Sequence, residues 1–407
     1  MTPAVRFKGF TDPWEQRKLG ELTKEIRRVE PDSDAPVMMI STPADGFIYQ
    51  SQHYAFDNTG ESLKKYICLH KGEMAYNHGA SRLRPYGSSF VLKEEQARVP
   101  FVYHCYEVLD DDPDFISLQL NLDSMQLQLR KLISSGARMD GLLNISYEEY
   151  MSLVLLVPDV EEQRRISRLL ASLNNLITLH QRKYDQLAVL KKALLDKMFP
   201  RDGAFVPEIR FVGFTDPWEQ RKLGDIAVSF EYGLNAAACE YDGVNKYLRI
   251  TDIDDDTHEF RVEDLTSPQA DLAASAGYLL SEGDLLFART GASVGKTYLY
   301  RPFDGKVFFA GFLIRAKIGN NADPEFVFQS TLTDRYRKYV TITSQRSGQP
   351  GVNAQEYSDF ELPLPSQPEQ KQIGSLLHGL DNLITLHQRK LGLLKNLKAA
   401  LLDKMFV

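Results

Sequence analysis

From Ile166 onward, apolar side chains return at steps of three and four residues: Ile166, Leu169, Leu173 and Leu176, then His180, Tyr184, Leu187, Leu190 and Leu194. A second run, Ile373, Leu376, Leu380, Leu383, His387, Leu391, Leu394, Leu397 and Leu401, keeps the same steps. This spacing lays one stripe along an α-helix and predicts two long helices, each about 38 residues and roughly 57 Å in length. Pro158-Asp159-x-x-Glu162 and Pro365-Ser366-x-x-Glu369 stand at their starts, where a capping oxygen and a carboxylate would meet free N–H groups. Lys191, Lys192 and Lys197 suit the negative end of the first helix, and Pro200 stops it. The steps are those of a coiled-coil seam, and each helix is the natural partner of the other. His180 and His387, lying in that seam, read as packed, hydrogen-bonded residues rather than as metal ligands.

The stripe belongs to a larger duplication. RFKGFTDPWEQRKLG at 6–20 returns at 210–224 with one difference, Lys8 against Val212. NLITLHQRK at 175–183 recurs at 382–390, and LLDKMF at 194–199 recurs at 401–406. Between these blocks the segments 21–155 and 227–362 barely align, apart from Lys71–Tyr76 against Glu282–Phe287, and Tyr150 with Pro158 against Tyr357 with Pro365. Drift alone would blur the ends as much as the middles, so the contrast points to two different modules mounted on one repeated frame. The order module, helix, module, helix obliges the second helix to run back along the first. The expected architecture is α+β: two globular mixed α/β modules separated by two long antiparallel coiled-coil helices, a pseudo-twofold internal repeat. Its expected boundaries are 1–155 for the first module, 156–200 for the central helix, 201–362 for the second module and 363–407 for the C-terminal helix.

Composition narrows the classes. The 407 residues are 43% hydrophobic and 25% charged, which is globular and neither disordered nor fibrous. No run approaches eighteen apolar residues and MTPAVRFKGF lacks an apolar signal core, so neither membrane insertion nor secretion is expected. Cys68, Cys105 and Cys239 lie far apart without C-x-x-C spacing, which argues against a disulfide framework or a thiolate zinc site and fits a reducing cytoplasm. The net charge of −7, with 13 basic and 20 acidic side chains in each of 21–155 and 227–362, excludes a non-specific nucleic-acid coat.

Local clusters depart from that average. The acid-free stretch 76–89 offers Tyr76, Asn77, His78, Ser81, Arg82, Arg84 and Tyr86 beside glycines. In the second module Arg289, Thr290, Ser293, Lys296 and Thr297 follow a strand-like Leu285-Leu286-Phe287, and Arg346 and Gln349 add a further polar loop. Guanidinium, amide and hydroxyl groups of this kind suit base edges and phosphates. A pair of unlike modules about a pseudo-twofold axis matches the local symmetry of duplex DNA, so the expected target is an asymmetric bipartite sequence with an unread gap.

Catalytic patterns are not found. Gly291-x-x-x-Gly295-Lys296-Thr297 has three residues between its glycines where a nucleotide-binding loop needs four. No His-Glu-x-x-His motif occurs, and the runs Asp110–Asp114 and Asp252–Asp256 read as solvated loops rather than cation sites.

With these features together, the chain resembles the specificity (S) subunit of type I restriction-modification enzymes. The resemblance rests on F-x-G-F-T-D-P-W-E-Q-R-K-L-G and its second copy, on G-D-L-L-F-A-R-T-G-A-S-V-G-K-T, and on the P-x-x-x-E-Q-x-x-I helix starts, and it covers essentially the whole chain. It implies two variable target-recognition domains alternating with two long helices, double-stranded DNA as a partner, two methyltransferase (M) subunits held through the helices, and restriction (R) subunits in the full complex. It further implies a non-catalytic chain that directs adenine methylation within a bipartite site. No cofactor is expected in this chain; S-adenosylmethionine, ATP and Mg would sit on the partner subunits. The first-module loop departs from the Arg-Thr-Gly form of the second. Two other readings stay open at this point, an autonomous metal-dependent nuclease and a protein-only coiled-coil adaptor.

Overall fold

The computed structural model describes residues 2–41, 46–53, 62–79, 81, 84–133, 143–201, 203–346 and 348–406. It falls into two compact units, Met1–Thr178 with Leu393–Val407, and Leu179–Gly392. No helix among the described residues is long and apolar enough to cross a membrane.

In the first unit, Glu15–Lys18 pairs antiparallel with Val154–Val157, so the repeated E-Q-R-K tetrapeptide is a strand. A four-stranded antiparallel sheet follows in the order Thr23–Glu25, His104–Val108, Met74–Asn77, Ser88–Val91. Ile67–His70 pairs with Gln96–Val99 in a smaller ladder. The helix Pro113–Leu120 begins where local chemistry dictates: Asp112 accepts from the Phe115 N–H at 2.9 Å, and Pro113 occupies a first-turn position that needs no donor. Tyr147–Met151 opens with a capping box between Ser146 and Glu149.

The second unit repeats this plan although its sequence does not. Glu219–Lys222 pairs with Glu361–Leu364, and the four-stranded sheet runs Ala227–Tyr232, Leu313–Ile318, Asp284–Ala288, Thr297–Leu299. Asp323 caps Pro324–Ser330 through the Phe326 N–H, and Asn353 with Glu356 boxes the start of Ala354–Ser358. Capping residues and the nearly continuous burial of the inner strands survive divergence, because either module can keep its ladder with different apolar residues. Tyr76 and Phe287 fill matched places, both fully buried. On an inner strand of the second sheet Arg315, 2% exposed, lies over the Phe309 ring and bonds Glu231 and Asp284. That contact, with Ser229 and Lys317, holds the Glu231 carboxyl down at about 2 against the cost of its partial burial.

The repeated blocks make the same contacts in both units. Trp14 packs edge-on to Phe115 and Phe406, while Trp218 packs edge-on to Phe326 and Phe199. Gln163 bonds the Asp112 N–H at 3.0 Å and the Pro158 carbonyl at 2.9 Å; Gln370 does the same to Asp323 and Pro365, at 2.8 and 2.7 Å. The expected capping role of Glu162 and Glu369 is corrected here. Asp159 caps through the Glu161 N–H, but the two glutamates turn inward to Arg6 and Arg210, since a fully buried carboxylate is better served by a guanidinium fork than by one amide.

The long helices are Val160–Met198 and Gln367–Met405, 39 residues each. In the second unit His180 meets His387 with Nδ1 to Nδ1 at 2.8 Å, and Lys191 reaches Asp381 at 2.5 Å. Numbers rise on one helix as they fall on the other, so the pair is antiparallel. Leu187, Leu194, Ile373 and Leu380 join Leu377 there in one cluster. In the first unit Ile166, Leu170 and Leu173 share a core with Leu169, Leu394, Leu401 and Met405. Five residues of the predicted stripes are left partly in water: Leu176, Leu190, Leu376, Leu383 and Leu397 are 43%, 47%, 37%, 44% and 48% exposed. An α-helix turns 3.6 residues rather than 3.5, so the stripe drifts by about 20° per heptad, and Leu170 and Leu377 become the buried positions.

Candidate nucleic-acid interface

In the first unit the strand Met74–Asn77 delivers the acid-free loop, and two of its seven expected contact residues turn into the module. Tyr76 is fully buried; its phenol donates to the Tyr86 carbonyl at 2.6 Å and its ring stacks on Tyr150 at 4.0 Å. His78 is 7% exposed and lies 4.0 Å from the His104 ring, edge to face. Neither is available to DNA, a correction to the sequence reading. The strand's period of two places Tyr76 on the core face, and the chain ends its ladder before His78 can leave the aromatic cluster. Burial also pushes His104 below the ordinary imidazole range. Gly87, at φ +87°, passes so close to Tyr76 and the Asn77 carbonyl that no side chain would fit.

The loop above this cluster is braced by its own polar groups. Asn77 accepts from the Gly79 N–H at 2.9 Å, Ser81 Oγ accepts from the Arg84 N–H at 3.0 Å, and Gln126 accepts from the Tyr86 N–H at 3.2 Å. Asn77, Ser81, Arg84 and Tyr86 are half-buried, leaving part of each side chain at the surface. Arg82 lies outside the described residues.

In the second unit the structure brings the two predicted loops together. Thr290 bridges Gly351, the Gly291 N–H donates to the Pro350 carbonyl at 3.0 Å, and the Gln349 amide lies against Gly291. Arg289, Thr290, Ser293, Arg346 and Gln349 all keep exposed surface on this joined loop pair. Arg346 folds back on the Thr343 carbonyl at 2.8 Å and on Glu356. Two expected residues are corrected. Thr297, at the start of the edge strand Thr297–Leu299, is fully buried with its hydroxyl 2.8 Å from that of Thr331, because the end of the helix Pro324–Ser330 covers it. Lys296 points inward, donating to the Ile253 carbonyl at 3.0 Å and pairing with Asp255.

Sequence reasoning missed what surrounds Arg289. Its guanidinium lies over the Tyr232 ring at 5.1 Å, and the Arg289 backbone N–H donates to the Phe312 carbonyl at 3.0 Å. Tyr232 and Phe312 are 46% and 59% exposed. Stacking fixes the guanidinium plane while leaving its edge free for an acceptor. Tyr232 ends the strand Ala227–Tyr232 and Phe312 lies in the turn before Leu313–Ile318, both distant in sequence, so only an aromatic left on a polar face could have signalled them.

Most carboxylates of the acidic runs are engaged within the protein. Asp252 pairs with Arg249 at 2.8 Å, Asp254 with Arg261 at 3.1 Å, and Asp255 with Lys296. Asp112 caps a helix and Asp111 accepts from Gln163. A cleft of about 1380 Å³ in the second unit is lined by charges of both signs, among them the Lys191–Asp381 pair and Asp255.

Residues 215–396 match the family model described as the type I restriction modification DNA specificity domain. Over 409 residues the chain is 22% identical to the type I restriction enzyme MjaVIII specificity subunit of Methanocaldococcus jannaschii, covering 93% of this chain and 88% of that one. Its fold superposes on the S subunit of a type I restriction-modification system from M. genitalium with a TM-score of 0.59, at 16% identity over 100% of this chain and 99% of the other. The HsdS subunit of Thermoanaerobacter tengcongensis fits more loosely, with a TM-score of 0.41 at 16% identity over 98% and 97%. Residues 215–396 thus carry a type I restriction modification DNA specificity domain, and the chain as a whole is similar to the specificity subunits of type I restriction-modification systems.

Proposed function

We propose that this chain reads a bipartite DNA sequence, one half-site per module, and that bond-making is left to partner subunits. The observation that carries this reading is that two sheets of identical strand order, set on identical clamps, present different polar loops. Constant scaffolding with variable loops is what recognition of two unlike half-sites requires. The acidic balance of each module is tolerable where partners make much of the phosphate contact and flip the target base.

Methyltransferase and restriction subunits are the protein partners, and the helices support a place for two methyltransferase subunits. Leu176 and Leu383 are 43% and 44% exposed, Leu179 and Leu386 52% and 45%, and Leu190 and Leu397 47% and 48%. Leucines left in water to the same extent 207 residues apart make two equivalent apolar faces. S-adenosylmethionine, ATP and Mg would be held by those partners. A nuclease reading finds no open carboxylate set in the acidic runs among the described residues.

The test is a genome-wide map of methyladenine in cells with and without this chain, repeated after exchange of 21–155 for another module. A bipartite motif that depends on the chain and changes in one half only is the expected result. A motif untouched by the exchange would overturn the reading.

A further inference from the structure

Glu30, Cys68 and His70 converge in the first unit, with one ligand atom from each lying within 4.8 Å of the others. Among the described residues this is the one such set of three or more His, Cys, Asp or Glu. The fold builds it in two steps. Cys68 and His70 stand two apart on the strand Ile67–His70, hence on one face of it. The preceding segment is pinned alongside by the Val29–Ile67 bridge and by the Cys68 N–H donating to the Arg28 carbonyl at 2.8 Å, which brings Glu30 over that face.

A fourth residue completes the set. Gln96 sits opposite His70 in the ladder, and its amide nitrogen lies 2.8 Å from Cys68 Sγ and 3.0 Å from Glu30 Oε2. A sulfur and a carboxylate thus aim their lone pairs at one positively polarised group. Turned about its last bond, the same amide presents an oxygen instead. The nearby cation Arg28 is engaged by Glu73 at 2.6 Å and stands 3.8 Å from Glu30, so it leaves the centre of the set open.

We propose that Cys68, His70 and Glu30, with Gln96 as fourth donor, bind a divalent transition metal of the zinc class. Sulfur, imidazole and carboxylate at about 2.0–2.3 Å from an ion stand roughly 3.3–3.8 Å apart in a tetrahedron. Closing from separations of at most 4.8 Å requires a shift of no more than about 1.5 Å, which the exposed His70 and half-buried Glu30 can supply while the buried Cys68 stays in place. The ion would tie the segment after Thr23–Glu25 to the second ladder of the first module. It would be a property of that module alone, because Leu279 and Ser281 occupy the aligned positions of the second.

The full-length chain, reduced and stripped with chelator, is titrated with Co²⁺ and then with Zn²⁺. The expected result is one Co²⁺ per chain with a thiolate-to-metal charge-transfer band in the near ultraviolet, displaced by Zn²⁺. Cys239→Ser, which removes the exposed thiol, should leave the band unchanged. His70→Ala, at an exposed position that preserves the fold, should weaken binding by more than about tenfold, and Cys68→Ser should abolish the band. No charge-transfer band in the wild-type chain at stoichiometric metal, or a band that survives Cys68→Ser or disappears with Cys239→Ser, overturns the assignment.

Discussion

Arg210 grips both carboxylate oxygens of Glu369, through Nε at 2.6 Å and NH2 at 2.8 Å, across 159 residues of chain. Arg6 does the same to Glu162 at 2.8 and 2.7 Å, across 156. Each fork ties the opening of a module to the start of a long helix, with the carboxylate fully buried and the guanidinium 12–14% exposed. Removing the cation alone strands a buried charge. Arg210→Ala should therefore cost about 3 kcal/mol or more in urea unfolding, whereas the double variant Arg210→Met with Glu369→Leu should recover most of that loss. Equal destabilisation in both variants would mean that the pair is not acting as a unit.

Burial separates Tyr76 from Arg289, although both belong to acid-free loops. Tyr76→Phe removes a donor from a buried carbonyl and should lower stability by about 1 kcal/mol with little change in DNA affinity. Arg289→Ala should leave the melting temperature nearly unchanged and weaken binding to one half-site by about 1–3 kcal/mol, read by titration of duplexes carrying either half-site altered. Tyr232→Leu should reproduce part of that loss by freeing the guanidinium from its platform.

Across the helix pair, His180 and His387 share a hydrogen bond in which one ring donates and the other accepts, so the contact does not survive double protonation. Desolvation, then His180, Lys390 and Lys183, hold His387 below the ordinary imidazole range. The folded form resists a proton that the unfolded chain accepts near pH ~6.5. This contribution is fully present above that pH and is lost as pH falls toward the lower folded value. Half-buried His104 and His258 shift in the same direction through desolvation. Thermal unfolding at about pH 8 and about pH 5.5 should show a fall in stability for the wild type and a smaller one for His387→Leu. Identical pH dependence in the two would remove this pair from the account.

The exposed leucines offer a direct test of partner docking. Leu179→Glu with Leu386→Glu changes two side chains that are about half in water, and should alter monomer stability by roughly 0.5 kcal/mol or less. Co-purification with methyltransferase subunits should nevertheless drop sharply, and either single variant should leave one subunit bound. Undiminished recovery of both subunits in the double variant would place the docking surface elsewhere.

Several features were legible in the residues alone. Identical blocks at fixed offsets and a three-four stripe announce a duplicated frame with two long helices, because helical periodicity and repetition are local properties of a chain. Loop composition pointed to Arg289 and Gln349 for the same reason. What remained hidden depends on contacts between distant positions. Nothing near Arg6 names Glu162, nothing near Arg289 names Tyr232, and the drift that exposes Leu176 while burying Leu170 follows from what each helix packs against. Tyr76, His78 and Thr297 look like contact residues in a polar string, yet sheet register turns them inward. Glu30, Cys68 and His70 become neighbours only once the Ile67–His70 ladder forms. Sequence determined the frame and its repetition; tertiary structure decided which side chains face water, since burial is a property of the packed surface and not of the residue.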